Sequence, residues 1–173
     1  MVTVWTVGHS NRPAADFISL LRAHGIELVA DVRRYPGSRR NPQFGSEALR
    51  AALSEAGIDY VALPALGGRR RAQAGSLNQG LRSAQFRGFA DYMATPDFAA
   101  ALEALVATAA ARRTAIMCAE ALPWRCHRSL IADALAARGV EVMHILGTGQ
   151  PRAHALSPAA RVRGGVVTYP TLL

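Results

Sequence analysis

The sequence predicts a single α/β domain of three layers, a mostly parallel sheet of about five strands with helices on both faces. Two observations carry this. Short runs rich in Val, Ile and Leu alternate with segments of helical period, and those runs are apolar on successive residues, as strands buried on both faces are. A third observation sets the scale: at 173 residues, half of them apolar, the chain has the length of one domain and enough core-forming side chains to exclude disorder.

The expected elements follow in order. The first strand is Val2–Val7, opening on the alternation Met1-Val-Thr-Val-Trp-Thr-Val7, with no basic segment of the kind that opens a secretory signal. The next helix has Ser10 or Asn11 as its expected N-cap, Pro13 in its first turn, and Ala14, Phe17, Ile18 and Leu21 on one face; Gly25 ends it. The second strand is Glu27–Val32. Ser46 is the expected cap of a helix with Leu49, Ala52, Leu53 and Ala56 inward, which Gly57 stops before a strand at Ile58–Leu63. Gly67 to Gly80 has little hydrophobic pattern and reads as a long loop, a candidate lid. Thr95-Pro96-Asp97 opens a helix that buries Phe98, Ala101, Leu102 and Leu105. Thr114–Cys118 is the fourth strand, a helix from about Cys126 to Arg138 buries Leu130, Ile131, Ala134 and Leu135, and Val140–Leu146 is the fifth strand. The parallel order makes the domain Rossmann-like, with 1–147 as the α/β unit and 148–173 as a loop-rich C-terminal tail that holds a candidate edge strand at Val166–Tyr169.

Charge and cysteine content narrow the function classes. All 20 basic residues are Arg, against 12 Asp+Glu, for a net charge of +8; an Ala-rich, Lys-free chain also fits a GC-rich codon bias, so Arg content by itself does not identify a nucleic-acid binder. The longest Ala-rich stretch, Phe98 to Ala111, contains Glu103 and is shorter than the ~20 apolar residues of a membrane span. The expectation is a cytoplasmic protein with no membrane partner. Cys118 and Cys126 are the only cysteines, too few for a disulfide framework.

The chemistry-bearing residues collect where the strands end. The first strand runs into Gly8-His9-Ser10, the second into Asp31-Val-Arg33, the third into Leu66-Gly67-Gly68, the fourth into Cys118-Ala-Glu120, and the fifth reaches His144. Ligands of open parallel sheets bind outside the carboxyl ends of the strands. The densest group runs from Cys118 to Arg128. There Cys126, His127 and Arg128 are expected in the first turn of a helix, where free N–H groups and Arg125 and Arg128 would lower a thiol pKa. Cys118 reads either as a small buried hydrophobe or as a second thiol, and Glu120 either as an ion-pair partner or as a general acid/base. A metal site of Cys118, Cys126 and His127, with His9 or His144 as a further ligand, lacks an ordinary zinc spacing. Cys118 to Arg125 is one residue too long for the protein tyrosine phosphatase loop, and the likeness to rhodanese-type sulfur transferases is analogy alone.

After the second strand, Arg33, Arg34, Arg39 and Arg40 fall within eight residues, and their forks suit phosphate or carboxylate, with Ser38 as a further donor. Arg34 and Arg40 read as solvated, and Asp31 as orienting an Arg or a ligand hydroxyl. The candidate catalytic residues are therefore His9, Cys118, Glu120, Cys126 and His127. Candidate substrate contacts are Ser10, Asp31, Arg33, Ser38, Arg39, Gly67, Gly68, Arg128 and His144; His24 and His154 read as surface residues. No metal or other cofactor is assigned.

Gly8-His9-Ser10, Asp31-Val-Arg33 with Pro36 and Ser38-Arg39, Leu66-Gly67-Gly68, Phe89 and Tyr92, Cys118-Ala-Glu120, Cys126-His127-Arg128 and His144-Ile145-Leu146 together resemble the bacterial domain of unknown function 488 over about residues 4 to 147. The resemblance implies a single α/β domain and brings no established activity. From the residues themselves, the expected function is an enzyme, a Cys-dependent transferase or hydrolase, acting on an anionic, phosphorylated or nucleotide-like small molecule. A nucleic-acid-associated basic domain is the alternative, and a thiol redox or sulfur-carrier protein a further one.

Overall fold

The computed structural model describes residues 1–37 and 39–171. Five parallel strands and one antiparallel edge strand form the main sheet, in the order β3-β2-β4-β1-β5-β6. These are β1 (Thr3–Gly8), β2 (Leu28–Asp31), β3 (Asp59–Ala62), β4 (Thr114–Cys118), β5 (Glu141–His144) and β6 (Arg152–Ala153). A separate hairpin joins β7 (Arg161–Arg163) to β8 (Val166–Thr168). The three-layer α/β architecture expected from the sequence is present. The tail's Val166–Thr168 segment pairs within that hairpin instead of extending the sheet.

Alternation along the buried strands divides the core in two. Val7, Val29, Ala115 and Met117 face α1 (Ala14–Ala23) and α2 (Ser46–Glu55), where Phe17, Leu21, Leu49 and Leu53 complete one cluster. Val4, Ala30, Ile116 and Cys118 face the opposite layer, α3 (Ala84–Tyr92), α4 (Pro96–Ala111) and α5 (Arg128–Ala137), with Phe89, Phe98, Leu102 and Ile131. β3 lies at the edge and is partly exposed, so it is not buried on both faces as its sequence implied. Residues 148–171 are not a loose appendage: Ala160, Val167 and Tyr169 belong to the second cluster.

Several local expectations are corrected. Neither Ser10 nor Asn11 caps α1; Pro13 occupies the N-cap, and Ser10 has a positive φ of 51° while its N–H donates to the Ala119 carbonyl. Ser46 is the first residue of α2 and not its cap. Thr95 does cap α4, its hydroxyl accepting from the Phe98 N–H at 3.3 Å. α3 lies in a stretch for which no helix was expected. Its signals are Ser83, which accepts from Phe86 N–H, and the spacing Phe86, Phe89, Ala90, Met93.

The segment between β3 and α3 is tied down. Asp91, on α3, accepts from Gln73 N–H, the Ser76 hydroxyl and Asn78 Nδ2, while Asn78 Oδ1 accepts from Tyr169 N–H. Gly88 lets this loop cross α3, because a Cβ there would stand 2.0 Å from the Arg70 carbonyl oxygen.

Candidate functional site

The carboxyl ends of β1, β2 and β4 meet at the middle of the sheet, where the chain reverses its direction of travel across the strand order. An open pocket of about 310 Å³ lies over β2 and β4, floored by Cys118, Cys126 and His127 and walled by Arg33, Arg34, Arg69 and Arg125. Phe86 and Phe89 of α3 supply an apolar side and Tyr35 an exposed aromatic lip; Glu120 is its acidic residue.

Cys118 ends β4, where the strand holds its thiol rigidly and buries it. Cys126 follows a short 3-10 turn, Pro123–Arg125, and its extended backbone (φ −141°) leads into α5 at His127. Cys126 and His127 therefore precede the helix, and only Arg128 enters its first turn. The two Sγ atoms are 3.1 Å apart and both thiols are free. Three donors converge on Cys126 Sγ: the Cys118 thiol, Arg128 N–H at 3.2 Å and Arg128 Nε at 3.4 Å. Arg nitrogens and the backbone amide can only donate, so Cys126 Sγ accepts from both, and its lowered pKa leaves Cys118 as the proton donor of the S···S contact. The Cys118 hydrogen bond is the largest influence lowering the Cys126 pKa far below the thiol range, with His127 and Arg128 assisting against the cost of burial. Burial pushes Cys118 in the opposite direction.

Arg128 is wholly buried and does not line the pocket. Beyond the Nε contact, Nη1 donates to Thr6 Oγ1 at 3.2 Å and Nη2 to the carbonyls of Glu120, at 2.6 Å, and Ala121, at 3.2 Å. Expected from the sequence to grip a substrate anion, it instead fixes the thiolate and the loop that carries Glu120. The Glu120 carboxylate accepts from Leu122 N–H at 3.4 Å and forms no ion pair with any described residue. His127 Nε2 donates to the Val32 carbonyl at 3.0 Å, which leaves Nδ1 on the side of Gly68. Gly68 lines the pocket, and a Cβ on it would press the imidazole at 3.3 Å; Gly67 packs against the Arg34 backbone.

The remaining candidates fall into two supporting clusters. On the α1/α2 side, Arg33 forms a bidentate ion pair with Asp31, Nη2 to Oδ2 at 2.7 Å and Nε to Oδ1 at 2.9 Å. It also donates to the Phe44 carbonyl and to His9 Nε2. His9 Nδ1 consequently donates to the Ser10 carbonyl, and burial lowers its pKa. Asp31 thus orients Arg33, and also accepts from the Tyr60 hydroxyl at 2.6 Å, holding that phenol's pKa up at about 12 through burial and the adjacent carboxylate. His9, stacked on Phe44, and Ser10 sit outside the pocket wall.

Behind Arg128 lies the second cluster. Arg128 Nη1 donates to Thr6 Oγ1, which shares a hydrogen bond of 2.6 Å with His144 Nδ1; His144 Nε2 and His154 Nδ1 share another at 2.9 Å, and His154 Nε2 donates to Asp133 at 2.8 Å. Tyr169 donates to the other Asp133 oxygen at 2.7 Å. His144 is therefore a buried relay residue one level below the pocket, its pKa lowered to about 4 by burial first and then by the neighbouring positive groups. His154 is partly buried in this chain and His24 is buried, donating from Nε2 to the Gly147 carbonyl, so neither is the surface residue expected. Arg34 is not simply solvated: it lines the pocket and donates to the Arg69 carbonyl. Arg39 is exposed and outside the pocket wall, and Ser38 lies outside the described residues.

Fold and site together define a doubly wound α/β protein with a thiol-centred, arginine-walled pocket at its strand ends. The chain belongs to the family described as domain of unknown function DUF488, which matches residues 13–135. No curated protein and no solved structure matches it. The matched span includes both cysteines, His127, Arg128 and Asp133, and stops before the relay histidines.

Proposed function

We propose that the protein is an enzyme in which the Cys126 thiolate attacks an anionic small molecule held by Arg34, Arg69 and Arg125. The observation that carries this reading is the convergence of three donors on Cys126 Sγ at the floor of that pocket. Cys118 is a hydrogen-bond donor to the nucleophile, Glu120 the group that moves a proton at the pocket rim, and His127 a neighbour that favours the thiolate. Phe86, Phe89 and Tyr35 give the pocket room for a flat or apolar portion of the ligand.

Ligand protection tests it. Inorganic phosphate and a nucleoside 5′-monophosphate, added separately to the reduced protein, are expected to slow alkylation of Cys126 at about pH 6 in the wild type, and the paired change Arg34→Gln with Arg125→Gln to abolish that protection. Alkylation unaffected by anions in the wild type contradicts the reading. A nucleic-acid partner is less well supported, because the arginine run 69–71 is partly committed to the protein: Arg70 donates to the Gly67 and Pro64 carbonyls and stacks on Tyr92.

A further inference from the structure

Cys118 is more than a hydrogen-bond donor by position. Its Sγ stands 3.1 Å from Cys126 Sγ, about 1 Å beyond the length of a disulfide bond, and it is 4% exposed, on the same pocket floor as the nucleophile. Water is the ordinary acceptor for a phosphoryl or acyl group on a cysteine, and a buried thiol adds nothing to that step. A group bound to Cys126 through sulfur is different, since thiol attack on the Cys126 sulfur releases it. The pocket wall restricts the donor further: Arg34, Arg69 and Arg125 line the same pocket as Cys126, so a sulfur donor that enters and a leaving group that departs as anions both find partners there.

We propose that the pocket takes an anionic sulfane-sulfur donor, a thiosulfate or an organic thiosulfonate, and that Cys118 resolves the persulfide formed on Cys126. The proposal rests on Cys126 being the pocket's nucleophile, as argued above. In the first step the Cys126 thiolate attacks the outer sulfur of thiosulfate, an S–S bond forms to Cys126, the donor's S–S bond breaks, and sulfite leaves with the electron pair. In the second, Cys118 attacks the Cys126 sulfur, its proton passes to the departing outer sulfur, and hydrosulfide leaves. The products are a Cys118–Cys126 disulfide, sulfite and hydrosulfide; the two thiols have been oxidised and the sulfane sulfur reduced. Two equivalents of a small-molecule thiol return the pair to its starting state.

The test is anaerobic incubation of the reduced, reductant-free protein with thiosulfate, following hydrosulfide release and intact mass. The wild type is expected to release one hydrosulfide per chain and to lose two hydrogens, with peptide mapping placing the disulfide between Cys118 and Cys126. Cys118→Ser is expected to gain one sulfur atom on Cys126 and to release hydrosulfide at least about tenfold more slowly, and Cys126→Ser to do neither. Hydrosulfide release by Cys118→Ser at the wild-type rate overturns the resolving role. If that variant loses its native circular dichroism, the wild type decides: hydrosulfide without a disulfide overturns the proposal, and one hydrosulfide per disulfide upholds it. Sulfur uptake by neither protein, with Cys126 still rapidly alkylated and protected by phosphate, overturns the sulfur-donor proposal and leaves the thiolate reading standing. Slow alkylation of Cys126 overturns both.

Discussion

Cys126 owes its character to neighbouring side chains more than to its place in the chain: the Cys118 thiol first, and Arg128 with it. Arg128 donates to its sulfur through both Nε and the backbone amide while its other nitrogens hold Thr6 and the Glu120–Ala121 carbonyls. Lysine keeps the charge but cannot span these acceptors. Arg128→Lys is therefore expected to slow Cys126 alkylation at about pH 6 by on the order of tenfold, measured by mass spectrometry against an unchanged rate of alkylation of the unfolded chain. His144 adds a pH dependence to stability. Its pKa is lowered to about 4 in the folded state, whereas an unfolded histidine titrates near 6.5. The unfolded chain thus binds more protons between these values, and the stability that the neutral imidazole contributes is present above about pH 6.5 and lost as pH falls toward 4. The expected loss is on the order of 2–3 kcal/mol, read as a drop in urea midpoint that His144→Gln flattens. At this scale the sequence exposed the Cys, His and Arg side chains themselves, but not their division of labour. Whether an Arg faces a ligand or a buried thiolate depends on contacts made across the fold, such as Thr6 to Arg128, that no local spacing encodes.

The secondary elements that position the site were the most legible part. Five apolar runs became the five parallel strands, β4 with the expected ends and the others shifted by a residue or two; the wholly buried β2 and β4 carry the clearest apolar signature. Helix starts were read less well: Ser10 and Ser46 are common cap residues put to other uses here. α3 escaped notice since its apolar spacing is short and polar residues surround it, although it supplies Phe86 and Phe89 to the pocket. Two predictions belong to this scale. Gly8 must lack a side chain, for a Cβ would lie 1.8 Å from the Glu120 carbonyl oxygen. Gly8→Ala is expected to displace the 118–126 loop and slow Cys126 alkylation, with a melting temperature lowered by several degrees. Asp91→Ala releases three hydrogen bonds from the 73–78 loop and is expected to cost about 2–4 kcal/mol and to expose that loop to limited proteolysis.

At the scale of the molecule, the strand order β3-β2-β4-β1-β5-β6 brings the ends of β1, β2 and β4 together, a juxtaposition that a linear reading can expect from the α/β pattern but cannot order. The tail's role was likewise hidden, because its contacts, Tyr169 and His154 to Asp133 and Asn78 to Tyr169, join residues far apart in the chain. Net charge is the property most easily misread. Of the 20 arginines behind the +8, several are engaged internally, among them Arg33, Arg70, Arg87, Arg113 and Arg128. Binding to duplex DNA is expected to be weak and to vanish by physiological salt, while phosphate protection of Cys126 persists.

The most direct test of the central claim is the pH profile of iodoacetamide alkylation at Cys126, quantified peptide by peptide in the reduced wild-type protein. A rate that stays high down to about pH 6, with Cys118 inert throughout, is the predicted result and places a stable thiolate at the pocket floor. A Cys126 rate that rises only near the ordinary thiol pKa of about 8.5, in step with Cys118, would contradict it and make both cysteines structural.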